Sequence, residues 1–270
     1  MPETDPPSPE SRIDTILKRR SEFMRSREQK AHLHHGAKPG FITTYTRPVD
    51  IKKLAFIHRH LANAGARKVL ELGCGTGPIA MSLVAQNYQV KAVDVSPQAV
   101  EIARAHGVDA QVGDAATFNH GAPYDAVILA DVLAEVLIPE RLLTNAAINL
   151  RLGGLLLLST PNGYGWYEVN QNHLNPKAYL RRNNTIRRLL GLEPYVRRDG
   201  TRNQWLTRAR VLSMAKAASF ELIDQRNSDF ISGSPRDIQL ADKLPSWAVS
   251  GWYFALRRVS DASKSETQTR

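Results

Sequence analysis

Glu71, Gly73, Cys74, Gly75 and Gly77 crowd into the stretch VLELGCGTGP, and Asp94 follows about twenty residues behind them. Three glycines at alternate positions, directly after the apolar run KVLEL, describe a strand turning into a helix where backbone must approach a ligand closely. Pro78 then opens the helix, since its missing N–H is no loss in a first helical turn. A carboxylate at the end of the next strand is placed to accept both hydroxyls of a ribose, so Asp94 implies a nucleoside-type ligand. A dinucleotide site carries G-x-G-x-x-G and leaves a helix N-terminus bare for pyrophosphate. Here the spacing is G-x-G-x-G, with Glu71 two residues before the first glycine. A carboxylate beside the turn suits a cationic group better than a pyrophosphate. S-adenosylmethionine, with an amine, a sulfonium and no phosphate, meets that requirement. Cys74 reads as a small filler of the loop and not as a nucleophile.

The elements that position these residues alternate. KVLEL predicts a strand and PIAMSLVAQ a helix; YQVKAVDV predicts a strand and PQAVEIARAH a helix capped by Ser96. VDAQVGD and DAVILAD read as strands, PERLLTNAAINLR as a helix and GLLLLST as a strand. Near-continuous Val, Leu and Ile strands separated by helices predict an α/β fold, with a parallel sheet covered on both faces. Upstream, SRIDTILKRRSEFMRSREQ and PVDIKKLAFIHRHLANAG have helical spacing. Downstream, TRARVLSMAKAAS predicts a helix, followed by the strand FELIDQRNS, a loop, and the strand SGWYFALRR, these two being suited to antiparallel pairing at a sheet edge. The expected organisation is an N-terminal extension over 1–47, a domain over 48–258 with an insertion at 161–206, and a tail over 259–270 whose composition, like that of the first eleven residues, is of the disordered type.

VLELGCGTG, VKAVDVS, VGDA and DAVILADVL stand in the order and spacing of the class I S-adenosylmethionine-dependent methyltransferases, which this chain resembles over residues 67–160. The resemblance implies a Rossmann-like, seven-stranded, mostly parallel sheet with an antiparallel last strand, and S-adenosylmethionine as cofactor. It implies that Gly73, Cys74, Gly75 and Gly77 run along the methionine part of the cofactor, with Glu71 beside them. Asp94 and Val95 would serve the ribose, Asp114 and Ala115 the adenine edge, and Ala130 and Asp131 would line the pocket after the fourth strand. Asp114, which follows Gly113, is equally suited to capping a turn.

Methyl transfer from a sulfonium is an in-line displacement that depends on alignment, and a base helps only when the acceptor must lose a proton. The segment STPNGYGWYE is similar to small-molecule O-methyltransferases such as those of ubiquinone biosynthesis, although DVLAEV stands where those enzymes read Glu-Val-Leu-Glu-His. Tyr164, Trp166 and Tyr167, with Arg181 and Arg182 further on, make the insertion an expected acceptor cap for a mid-sized anionic metabolite, entered through a glycine hinge at NGYG. His35, Tyr164 and Glu135 are the candidate bases. HLHHG (His32, His34, His35) has no nearby carboxylate to complete a metal set, so no metal is expected.

The chain has 270 residues, a formal charge of +10 and 42% hydrophobic residues, enough apolar material for a full core and a charge that attracts anions of any kind. An RNA methyltransferase acting on ribose or a ring nitrogen is therefore an alternative, since the paired arginines of 181–210 lie near Tyr195 and Trp205. The Asp/Asn-Pro-Pro-aromatic motif of exocyclic-amine enzymes is missing, and the one cysteine, Cys74, lies in the glycine turn and not where ring-carbon enzymes need it. A non-catalytic, methyltransferase-like partner protein is a second alternative. One cysteine excludes an internal disulfide, no apolar run reaches membrane-spanning length, and MPETDPPSPESR is unlike a secretion signal, so a cytoplasmic location is expected.

Overall fold

The computed structural model describes residues 45–136, 138–166, 188–189 and 205–259. Within them, five of six helices begin at a proline: α1 Pro48–Asn63, α2 Pro78–Val84, α3 Pro97–Ala105, α4 Pro139–Asn149 and α6 Pro235–Ala241. Proline fixes the helical φ and gives up only an N–H that would be orphaned there anyway. The sixth, α5 Arg208–Ala217, is capped by Thr207, whose side chain accepts from the Arg210 N–H. Ser96 and Ser234 cap α3 and α6 in the same way.

The strands are β1 Lys68–Leu72, β2 Gln89–Asp94, β3 Asp109–Val112, β4 Tyr124–Ala130, β5 Leu150–Pro161, β6 Phe220–Asn227 and β7 Gly251–Arg258. They form one sheet in the order β3-β2-β1-β4-β5-β7-β6. The first five run parallel, and β7 lies antiparallel between β5 and β6. The core has two layers because strand side chains alternate. Leu70, Leu72, Val127, Leu129, Leu156 and Leu158 face α4 and α5, whereas Val69, Ala126, Ile128, Leu155 and Leu157 face α1, α2 and α3. This two-sided burial is why the strands lack polar alternation.

Two expectations need correction. The segment after β6 is not loop throughout, for α6 forms there, with the Asp237 carboxylate accepting the N–H groups of Phe230, Ile231, Ser232 and Gly233. The fifth strand begins at Leu150, earlier than the apolar run, and its pairing with β4 is irregular between Tyr124 and Ala126.

Candidate functional site

The parallel strands all end on one edge, and the sequence-predicted residues gather there. After β1 the chain turns at Gly73, whose N–H donates to the Val93 carbonyl at 2.7 Å, as does that of Cys74 at 3.0 Å. This ties the loop to the end of β2. Gly73, Gly75 and Gly77 all have positive φ, at 81°, 54° and 83°. A Cβ on Gly73 would come within 2.4 Å of the Val132 side chain, so packing excludes it, whereas one on Gly75 would meet no protein atom within 4 Å. Gly75 therefore fronts open space.

Asp94 is a buckle. Its Oδ2 accepts the Gly75 N–H at 2.7 Å and its Oδ1 the Ser96 N–H at 2.9 Å, joining the glycine loop to the start of α3. Val95 beside it is half-buried. Glu71 lies beneath the loop and is 1% exposed. Gly77 cannot cap α2 with a side chain, and the Ala80 N–H in its first turn favours the ionised form of Glu71. Its Oε2 has no hydrogen-bond partner. Burial, and secondarily the Asp94 charge, push the Glu71 carboxyl up to about 8. The buried Cys74 thiol is pushed up by burial and then by Glu71 and Asp94, and its Sγ donates to the Gly75 carbonyl at 3.4 Å. A raised thiol beside two carboxyls is no nucleophile.

At the end of β3, the Asp114 Oδ1 accepts the Ala116 N–H at 2.8 Å, the turn-capping arrangement, and the Ala115 carbonyl is held by Asn145. At the end of β4, Ala130 is half-buried and Asp131 has φ 61°. The Asp131 N–H donates to both the carbonyl and the Oγ of Ser159, each at 3.0 Å, which stabilises this left-handed backbone. Its Oδ1 accepts from the Ser159 hydroxyl at 2.8 Å and its Oδ2 pairs with the Lys53 ammonium. The Glu135 N–H donates to the Val132 carbonyl, closing the turn that follows.

Lys53, Tyr45, Ser159 and Tyr253 escaped the sequence reading. Lys53 is 7% exposed and lies 5.5 Å from the Tyr45 ring centroid. Tyr45 is raised by burial, then by the charges of Glu71 and Asp131, so these four groups form one cluster. Below them lies a small cavity lined by Lys53, Phe56, Ile57, Ala130, Ser159 and Tyr253, among others. The available signal was periodicity. Lys53 occupies the buried stripe Asp50, Lys53, Phe56, Ile57, His60, Leu61 of α1, where a lysine is out of place unless it has work to do.

Tyr164 is 55% and Trp166 46% exposed, and Tyr164 makes an edge-on contact with Trp205 at 5.4 Å. The expected glycine hinge is instead a pinned turn. The Asn162 side chain donates to the Trp247 and Val249 carbonyls, and the Gly163 N–H to the Leu206 carbonyl. A Cβ on Gly163 would lie 2.6 Å from Trp205 Cα, and one on Gly165 would lie 2.4 Å from the Val249 oxygen. These glycines permit close approach and do not serve motion. His32, His34, His35, Tyr167, Arg181 and Arg182 lie outside the described residues. Among those described, no group of His, Cys, Asp and Glu is arranged to hold a metal, and no helix is long and apolar enough to cross a membrane.

This strand order with an antiparallel β7 is the class I methyltransferase fold, shared with solved S-adenosylmethionine-dependent methyltransferases. More particularly, the chain belongs to the methyltransferase domain family, whose sequence model matches residues 45–225. It is 35% identical over 119 residues to the ubiquinone biosynthesis O-methyltransferase of Xanthomonas oryzae pv. oryzae, a match covering 41% of this chain and 49% of that one. The corresponding Xylella fastidiosa protein is 31% identical over 118 residues, 41% of this chain and 48% of the relative. The chain thus spans about half the length of the curated relatives it matches. Among solved structures it is similar to a Burkholderia thailandensis 1,6-didemethyltoxoflavin-N1-methyltransferase with bound 1,6-didemethyltoxoflavin and S-adenosylhomocysteine. That likeness has TM-score 0.55 and 16% identity, over 96% of this chain and 94% of that one. It is also similar to a possible histamine N-methyltransferase of Thermotoga maritima, with TM-score 0.55 and 16% identity over 90% and 99% of the two chains.

Proposed function

We propose that the protein transfers the methyl group of S-adenosylmethionine to a hydroxyl or amine of a small, anionic metabolite. The observation that carries the cofactor part is Glu71, a fully buried carboxyl whose second oxygen is orphaned directly under a glycine loop fronting open space. An orphaned buried oxygen is costly unless a partner arrives, and the ammonium of the cofactor's methionine part is a fitting one. Gly75 leaves room beside it, and the Asp94 carboxylate, already fixed by two N–H groups, keeps lone pairs for the ribose hydroxyls. When bound, the cofactor supplies an electrophilic methyl group on a sulfonium. The work of the chain's own residues is then to orient the acceptor in line with that methyl group and to exclude water.

On the acceptor side, the exposed Tyr164 and Trp166 at the end of β5 offer aromatic surface for a ring-shaped body. With Tyr167, Arg181 and Arg182 they make the segment 161–206 an acceptor cap. The curated relatives are named as ubiquinone biosynthesis O-methyltransferases, which favours a small molecule over RNA. The test separates the two halves of the reading. Calorimetry with S-adenosylhomocysteine should show saturable binding, and a methyl-labelled cofactor incubated with fractionated metabolites should label an acidic small molecule. Arg181 and Arg182 replaced together, and Tyr164→Ala separately, should leave cofactor affinity near wild type and lower turnover at least about tenfold, or 1.4 kcal/mol. Label recovered in RNA, with salt-sensitive retention on tRNA, would transfer the reading to nucleic acid.

A further inference from the structure

At the edge opposite the candidate site, where the parallel strands begin, one corner of the sheet mixes aliphatic side chains with cations. Arg258, at the end of β7, donates to the carbonyl of Leu150, where β5 starts. Ile148 and Leu152 lie two residues to either side of Leu150, and Val259 follows Arg258. The three side chains, 50%, 55% and 52% exposed, thus cluster around one hydrogen bond. Leu152 is held out by its backbone. Tyr124 pairs with Leu150 but Ala126 with Leu155, so residues 151–154 bulge from the ladder, with Gly153 at φ 74°. A Cβ on Gly154 would come within 2.8 Å of the Arg151 carbonyl oxygen, which keeps the bulge tight.

Asp125 ties cations to the same corner. Its Oδ2 accepts the Arg67 and Lys68 N–H groups at 2.8 and 2.9 Å, and its Oδ1 the Arg151 guanidinium at 2.8 Å. The Val259 N–H donates to the Ser219 carbonyl, and the Ser219 N–H to the Lys216 carbonyl at the end of α5. Arg67, Lys68, Arg151, Lys216, Arg257 and Arg258 therefore share this corner with Asp125 and Glu221, which leaves it basic. The carbonyls that end α4 and α5 here answer part of that charge. They do not account for exposed aliphatic side chains among the cations.

We infer that this corner docks on an anionic membrane surface. Ile148, Leu152 and Val259 enter the apolar boundary, and the cations lie at the level of the headgroup phosphates. Charge complementarity supplies the attraction, and the aliphatic side chains choose the partner. A nucleic acid would be met by exposed aromatic faces, whereas the ring at this corner, Tyr124, is buried beneath Lys68. Docked in this pose, the edge carrying Gly75 and Asp94 faces water.

The test is co-sedimentation of the full chain with vesicles of phosphatidylcholine alone, or of phosphatidylcholine and phosphatidylglycerol in equal parts. Binding to the mixed vesicles should be at least about tenfold the stronger, and should weaken as salt rises from about 0.1 to about 1 M. Leu152→Gln should lower it at least about threefold, and Arg67→Glu with Lys68→Glu at least about tenfold. Arg236→Glu with Lys243→Glu, the same charge change on exposed positions in and after α6, should leave it within about twofold. Thermal unfolding of each variant near wild type keeps loss of fold out of the comparison. The inference is overturned if the mixed vesicles are not bound, or if binding survives the corner variants. An equal fall in the control pair, or retention on tRNA without vesicle binding, overturns it as well.

Discussion

Glu71 is a fully buried carboxyl at the end of β1, and its Oε2 stays unpartnered. With its folded value raised to about 8 by burial, most of it is protonated at pH 7 in the unliganded protein. An arriving ammonium reverses that preference. Binding of S-adenosylhomocysteine at pH 7 should therefore release close to one proton, read from calorimetry in buffers of different ionisation enthalpy. Glu71→Gln should release none. The same shift has a stability consequence whose sign is fixed. A carboxyl raised from 4.5 to about 8 on folding lends stability below pH 4.5 that is lost as pH climbs through 8. Thermal unfolding of the unliganded protein, compared with Glu71→Gln, should show the wild type losing ground between pH 5 and 8; parallel curves would mean the carboxyl is solvated. Asp94→Ala should weaken S-adenosylhomocysteine binding by about 1.5 to 3 kcal/mol per charge-assisted hydrogen bond lost, and an unchanged dissociation constant would place the ribose elsewhere. Glu71 and Asp94 stood out in the sequence because they flank glycines at fixed spacing. Lys53 did not, because a lysine among KK and HRH looks like a solvated face until the register of α1 is fixed.

At the level of elements, the three glycines of the loop after β1 are not equivalent. Gly73→Ala drives a methyl group into Val132 at a left-handed φ, so it should destabilise the fold by about 2 kcal/mol or more. Gly75→Ala meets no protein atom, so its folding cost should stay near about 1 kcal/mol while cofactor binding suffers most. Denaturant midpoints and calorimetry on the two variants separate these effects; equal losses in both would mean the space beside Gly75 is not the cofactor's. The order and type of the strands were readable because a sheet buried on both faces writes continuous Val, Leu and Ile runs. The helix α6 was not, since PRDIQLA is short and polar and owes its place to the Asp237 bonds with residues 230–233. NGYG misled for a related reason. Glycine signals either freedom or close approach, and only the neighbouring Trp205 and Val249 backbone, distant in sequence, decides between them.

For the whole molecule, a ligand that binds only the folded state adds stability by mass action. S-adenosylhomocysteine at a hundred times its dissociation constant contributes about 2.7 kcal/mol, which should raise Tm by about 5 to 10 °C. NAD at equal concentration should leave Tm unchanged, and a shift with NAD alone would refute the reading of the glycine spacing. The strand order has a further consequence, for the timing of folding during synthesis. β7 lies between β5 and β6, although it is the last of the seven described strands to be made. On the ribosome, the free edge of β5 must wait for roughly a hundred more residues before its partner emerges, about 5 to 20 seconds at ordinary elongation rates. During that interval the LLLLST edge is an open template, and β6 has no sheet to join. A stalled nascent chain whose β7 has not left the ribosome should accordingly engage chaperones and resist release as native protein, and extension far enough for Arg258 to emerge should end that dependence in a single step.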